Sequence, residues 1–125
     1  MRKVIATEKA PAAIGPYAQA NDIGNLVFTS GQLGIVPETG DLAEGLEAQT
    51  RQALDNLKHI LEEAGSSLEK TIKTTCFMDD MNDFAAMNAI YAEYFNGDFP
   101  SRSAVQVAAL PKGGLFEIEA IAYIE

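Results

Sequence analysis

Cysteine and histidine occur once each in the chain, as Cys76 and His59. A lone cysteine cannot close an internal disulfide, which fits a reducing compartment. One histidine and one cysteine on different predicted elements cannot make a structural zinc site. Basic residues are few. Nine Lys and Arg against eighteen Asp and Glu give a net charge of −9, and none of the nine forms a run. That argues against a nucleic-acid partner held through its phosphates and against a membrane surface. No apolar stretch approaches the roughly eighteen residues of a membrane span. The segment from Met1 to Ala20 lacks the long apolar centre of a signal peptide, so the expected location is the cytoplasm. There is no P-loop, dinucleotide fingerprint or G-x-S-x-G elbow. No metal, nucleotide or flavin is expected.

What is present suffices for one domain over residues 1–125, with 47% hydrophobic residues to fill a core. Residues 2–6 predict a short strand, and "AQANDIGNLVFTSGQLG" predicts two strands around a turn at Asp22–Asn25. "GIVPETGDLAEG" is turn-rich and reads as a surface loop. In "LEAQTRQALDNLKHILEEAG" the residues Leu46, Thr50, Leu54, Leu57, Leu61 and Ala64 recur at helical spacing, and Gly65 supplies the stop. "TIKTTCFM" reads as a strand with Cys76 as a small core residue. "DDMNDFAAMNAIYAEYFNG" predicts a second helix, capped by Asp80, with Phe84, Met87, Tyr91 and Tyr94 or Phe95 as its stripe. Two strands follow, 102–110 and 115–124, joined by the turn "PKGG". The mixed order predicts an α+β fold with both helices on one face of a sheet.

The last strand sharpens that expectation. Phe116, Ile118, Ala120, Ala122 and Ile124 form one apolar set, and Leu115, Glu117, Glu119, Ile121 and Tyr123 form the other. Alternate side chains point to opposite faces of a strand. Two helices cover only one face, and the second set is too apolar for open water. It predicts an interface with further copies of the chain.

Arg102 opens a strand just after a helix, where a guanidinium could hold a carboxylate bidentately. A salt bridge to one of the acids is the commoner use of such a residue. Glu117 lies on the helix-free face. If the last two strands pair as a hairpin, it approaches Arg102, and a part-apolar setting suits acid–base work. An interface salt bridge is the alternative, and Glu119 shares the pattern. Ser30 in "FTSGQ" has no base beside it, which suits hydrogen bonding to a ligand or a backbone amide better than nucleophilic attack. His59 falls at the boundary of the first helix.

The stretches "AIGPYAQA", "VFTSGQLG", "QTRQALDNLKHILEEAGSSLE", "MNDFAAMNAIYAEYF" and "FPSRSAVQVAALPKGGLFEIEAIAYI", in that order, resemble the RidA (YjgF) family of imine deaminases from about Ile5 to Ile124. The resemblance implies a six-stranded mixed sheet with two helices on one face, chorismate-mutase-like, and a homotrimer whose sheets form a central barrel. It implies hydrolysis of 2-imino acids, such as 2-iminobutanoate and 2-iminopropanoate, to 2-keto acids and ammonia, without a cofactor. It assigns Arg102 to the substrate carboxylate and Glu117 to the water beside the imine carbon. Tyr17, Ser30, Gly31 and Asn88 match pocket positions. Ala104 stands where many members have cysteine, at a position implied to offer its backbone N–H. Two rival readings remain. One is a trimer that binds a small carboxylate without catalysis. The other is an RNA-cleaving inhibitor of translation, disfavoured by the acidic charge.

Overall fold

Leu54, Leu57, Ile60 and Leu61 form the buried face of α1, Leu46–Glu63, in the computed structural model, which describes residues 1–125. All four side chains are fully buried, each worth about 1.5–3 kcal/mol of apolar burial. Gly65, at φ +84°, ends the helix. Its N–H and that of Ser66 turn back to Glu62 and Leu61 carbonyls at 3.0 and 2.8 Å. The second helix, α2, spans Phe84–Tyr94. Asp80 caps not this helix but the 3-10 turn Met81–Asp83 that leads into it, accepting from the Asn82 N–H at 2.9 Å. His59 is half-buried at the edge of α1, with Nδ1 3.1 Å from the Lys9 carbonyl.

The strands are β1 Lys3–Ile5, β2 Ala20–Asp22, β3 Leu26–Thr29, β4 Gln32–Leu33, β5 Thr71–Met78, β6 Ser101–Gln106 and β7 Phe116–Tyr123. They form one mixed sheet in the order β1-β2-β3-β7-β5-β6. β4 continues the line of β3 along the same side of β7, so the seven strands fill six positions. Between β3 and β4 the Thr29 hydroxyl takes the Ala120 N–H at 3.0 Å.

The expected hairpin between the last two strands does not form. β6 pairs parallel with β5, and β7 pairs antiparallel with the other side of β5. The cause is the α2 crossover: a helix between two strands returns the second one parallel to the first. The segment from Val107 to Leu115 passes over the end of β5. The Val107 N–H donates to the Met78 carbonyl at 2.9 Å, and the Asp79 N–H donates to the Leu115 carbonyl at 3.1 Å.

Both helices lie over one face of the sheet. Phe116, Ile118, Ala120 and Ala122 of β7 are buried there with Thr74, Cys76 and Met78 of β5. Burial pushes the Cys76 thiol up to about 12, which keeps it unreactive. The other face carries Phe28, Val105 and Tyr123 at 42%, 45% and 39% exposure. Asn21 Oδ1, buried without a hydrogen-bond partner, belongs to a residue registered with Phe28 on that same side.

Gly34 fixes how β4 meets α1. A Cβ there would strike the backbone of Gln49, which cannot swing away. Asn56, fully buried on α1, ties the same stretch by donating to the Leu33 and Ile35 carbonyls at 3.1 and 2.9 Å. Gly34→Ala is therefore expected to cost about 3 kcal/mol by overpacking. A denaturant titration checks it, and a midpoint equal to wild type contradicts the contact.

Candidate active site

The seven predicted site residues separate into two groups. The first is built on β6 and α2. Thr74 of β5 registers with Arg102 of β6, and Cys76 with Ala104. Registered neighbours share a face, and Thr74 faces the helices, because its hydroxyl lies 2.7 Å from the Tyr91 hydroxyl of α2. Arg102 and Ala104 therefore face the helices too. Arg102 is half-buried, and its Nη1 donates to Asn88 Oδ1 at 2.7 Å. Its guanidinium carbon lies 4.7 Å from the Tyr91 ring centre and 5.4 Å from that of Phe84. The chain's one salt bridge joins Arg51 to Glu93, so the acid expected beside Arg102 as the commoner reading is not there. One hydrogen bond leaves most of the guanidinium's five donors free for a carboxylate.

The second group lines a cavity of about 650 Å³ that includes Tyr17, Ser30, Gly31 and Glu117. Glu117 alternates with Phe116 and Ile118, both buried under the helices, so it points to the other face. Its carboxylate lies against Gly31, where an added Cβ would fall 2.8 Å from Glu117 Cδ. Burial, and then the charge of Glu119, raise Glu117 above the usual glutamate range. Ser30 Oγ donates to the Ala18 carbonyl at 2.6 Å. The hydroxyl thus bonds a carbonyl rather than an amide, and with its proton committed it is left as an acceptor in the cavity lining. Tyr17 stands half-exposed on the loop between β1 and β2.

Arg102 and Glu117 are therefore on opposite faces of one sheet, with β5 between their strands. Their registers differ as well: Arg102 lies level with Thr74, and Glu117 level with Phe77. Each group lacks what the other has. The cation faces no acid, and the cavity around Glu117 has Lys112 at its rim as its single cation.

Several residues that shape the two groups escape the sequence patterns. Tyr91 and Phe84 read as core stripe, yet both also face Arg102. Buried Gln19 holds the cavity's wall, donating to the Thr7 and Pro11 carbonyls at 3.1 and 2.7 Å and accepting from the Thr7 N–H at 2.7 Å. Lys112 has left-handed backbone, φ 59°, and its Nζ donates to the Gly40 carbonyl at 3.1 Å. Position in "PKGG" hints at a tight turn but not at which residue takes the unusual conformation.

Residues 7–124 match the family model described as endoribonuclease L-PSP. The chain is 54% identical over 125 residues to the 2-iminobutanoate/2-iminopropanoate deaminase of Escherichia coli strain K12, covering 98% of each protein. Among solved structures, the YjgF gene product of E. coli superposes with a TM-score of 0.95 at 52% identity, covering 98% of this chain and 99% of that one. E. coli TdcF with bound serine superposes at 0.96 and 47% identity, with the same coverage. Matched from end to end in both sequence and fold, the chain belongs to the endoribonuclease L-PSP family, that of the RidA and YjgF proteins.

Proposed function

We propose that the chain is a hydrolytic deaminase of 2-imino acids, working at sites shared between copies of itself. The observation that carries this reading is the separation of Arg102, a cation without an acid, from Glu117, an acid in a cavity with no arginine. A neighbouring copy that brings its Arg102 group to this chain's Glu117 cavity completes both. The apolar side chains on the helix-free face support such an assembly, and a homotrimer with its sheets around a central barrel is the form proposed. The 54% identical deaminase supports the substrate class, and the serine bound to TdcF supports a small amino-acid-like ligand. With one unreactive cysteine and no helix long and apolar enough to cross a membrane, the proposed setting is the cytoplasm.

The chemistry asks little of a protein. A protonated imine carbon is already electrophilic. Arg102 holds the substrate carboxylate, with Asn88 fixing the guanidinium and the Ala104 backbone N–H beside it. Tyr17, Ser30 and Gly31 line the pocket. Glu117 accepts a proton as a water oxygen bonds to the imine carbon, and the C=N electron pair moves to nitrogen. Returned to nitrogen, that proton makes ammonia the leaving group. The C–N bond breaks as the C=O bond forms, and Glu117 takes the hydroxyl proton and passes it to the departing ammonia, which leaves as ammonium. Placing water and substrate together removes on the order of several kcal/mol from the barrier. No metal or cofactor is called on.

The family's description names an endoribonuclease. The net charge of −9 and the scatter of the basic residues argue against an RNA substrate, and trace ribonuclease that separates from the protein on purification would close that reading. A carboxylate-binding protein without catalysis is separated by Glu117→Gln, as below.

Coupled to a threonine dehydratase, the protein is expected to accelerate loss of 2-iminobutanoate, followed by semicarbazide trapping. No acceleration at stoichiometric protein would overturn the reading, as would a scattering mass near the 13.4 kDa of one chain. Arg102→Ala is expected to raise KM about 30- to 1,000-fold. Glu117→Gln is expected to lower kcat at least about 100-fold while 2-oxobutanoate still binds. Gly31→Ala displaces only the end of a flexible side chain, so activity falls while the denaturation midpoint stays near wild type.

The raised Glu117 group sets two signs. Its ionised form is disfavoured by folding, so this residue's contribution to stability falls as pH rises through its folded value. Glu117→Gln should therefore raise Tm at neutral pH relative to wild type, with the gain shrinking toward pH 4. Catalysis needs the ionised form, so the acid limb of kcat/KM lies above the ordinary glutamate range. Glu119→Gln removes the second cause of the shift and should move that limb to lower pH. An unmoved limb overturns the assignment of Glu117 as base.

A further inference from the structure

Arg102 is a long side chain on an edge strand, bonded on one side only. Such a guanidinium loses considerable rotamer freedom when it is held to receive a ligand. Three residues of α2 meet it. Phe84, Asn88 and Tyr91 are spaced four and three residues apart and so line one face of the helix. Asn88 takes one N–H at 2.7 Å. Tyr91 and Phe84 present rings 4.7 and 5.4 Å from the guanidinium carbon, within cation–π range.

The Tyr91 ring is itself fixed from two sides. Its hydroxyl and that of Thr74 are 2.7 Å apart in a buried hydrogen bond. Thr74 is the registered neighbour of Arg102, so the strand that carries the cation is aligned with the group that anchors the ring. Behind, the Phe95 ring lies 4.4 Å away, centre to centre. Desolvation raises the Tyr91 phenol above its usual range, so the ring is a neutral phenol at working pH.

We propose that Tyr91, anchored by Thr74, is a positioning residue that holds Arg102 ready for the substrate carboxylate. This rests on the deaminase reading and deepens it. Tyr91 does not touch the reacting atoms; it lowers the cost of binding by restricting the cation beforehand. The ring does the holding, and the hydroxyl locks the ring.

The test compares Tyr91→Leu, Tyr91→Phe and wild type in the coupled dehydratase assay, with 2-oxobutanoate affinity measured calorimetrically. Tyr91→Leu is expected to raise KM and weaken 2-oxobutanoate binding by about three- to thirty-fold, with kcat within two-fold. Tyr91→Phe keeps the ring and is expected to recover most of that loss. A merely structural role would lower Tm and kcat without this split, and Phe would not rescue it. Folded Tyr91→Leu protein with wild-type KM and affinity overturns the proposal. Should that variant not fold, Phe84→Leu reads the same cradle from its more open side: a smaller rise in KM supports the proposal, and unchanged KM and affinity overturn it. Wild-type protein without activity on 2-iminobutanoate defeats the deaminase reading alone, because 2-oxobutanoate affinity still reads the effect of Tyr91 on Arg102.

Discussion

Two adjacent side chains of a strand cannot turn to the same side of a sheet, and β7 makes that rule decisive here. Phe116, Ile118, Ala120 and Ala122 are committed to the layer under α1 and α2. Glu117 and Glu119 are thereby forced out on the other side, into surroundings that are partly apolar. A one-residue slip would send the carboxylates under the helices and the core residues outward. The central place of β7, between β3 and β5, makes such a slip costly to the whole sheet. The proposed general base is therefore held by the same contacts that hold the core.

The carboxylate end of the proposed site rests on a different principle. Arg102 belongs to an edge strand, where backbone pairing fixes only one side. Its orientation comes from α2, through one amide and two rings. Precision at one end is inherited from the sheet and at the other is built from side chains. The difference explains why the surroundings of Glu117 include a glycine that clears space, whereas those of Arg102 are bulky. Gly31 yields room to a carboxylate; Phe84 and Tyr91 take it from a guanidinium.

Much of this is legible in the amino-acid sequence. The three-and-four spacing of Leu54, Leu57 and Leu61 specified α1, and the alternation from Phe116 onward specified both faces of β7. The pairing of strands was not legible. "PKGG" between two apolar runs reads as a hairpin, whereas the α2 crossover pairs β6 with β5 and leaves β7 to the far side. The eight-residue strand β5 is what separates them, and strand patterns carry no record of their neighbours. β4 escaped because two residues have no period to detect. Tyr91 was legible as core and not as a partner of Arg102, since a single side chain can satisfy both roles while its spacing reports only the first. The site residues named by resemblance fall into two coherent clusters, but that they lie on opposite faces became visible only once Thr74 could be placed under α2.

The opposed directions of Arg102 and Glu117 carry a further meaning. On the shared-site reading, each chain gives one half of a centre to a neighbour and receives the complementary half from another. Such exchange is head-to-tail, and a ring closes it without leaving a half unused. Catalytic capacity then belongs to the association equilibrium and not to the single fold alone: dilution that parts the copies extinguishes turnover.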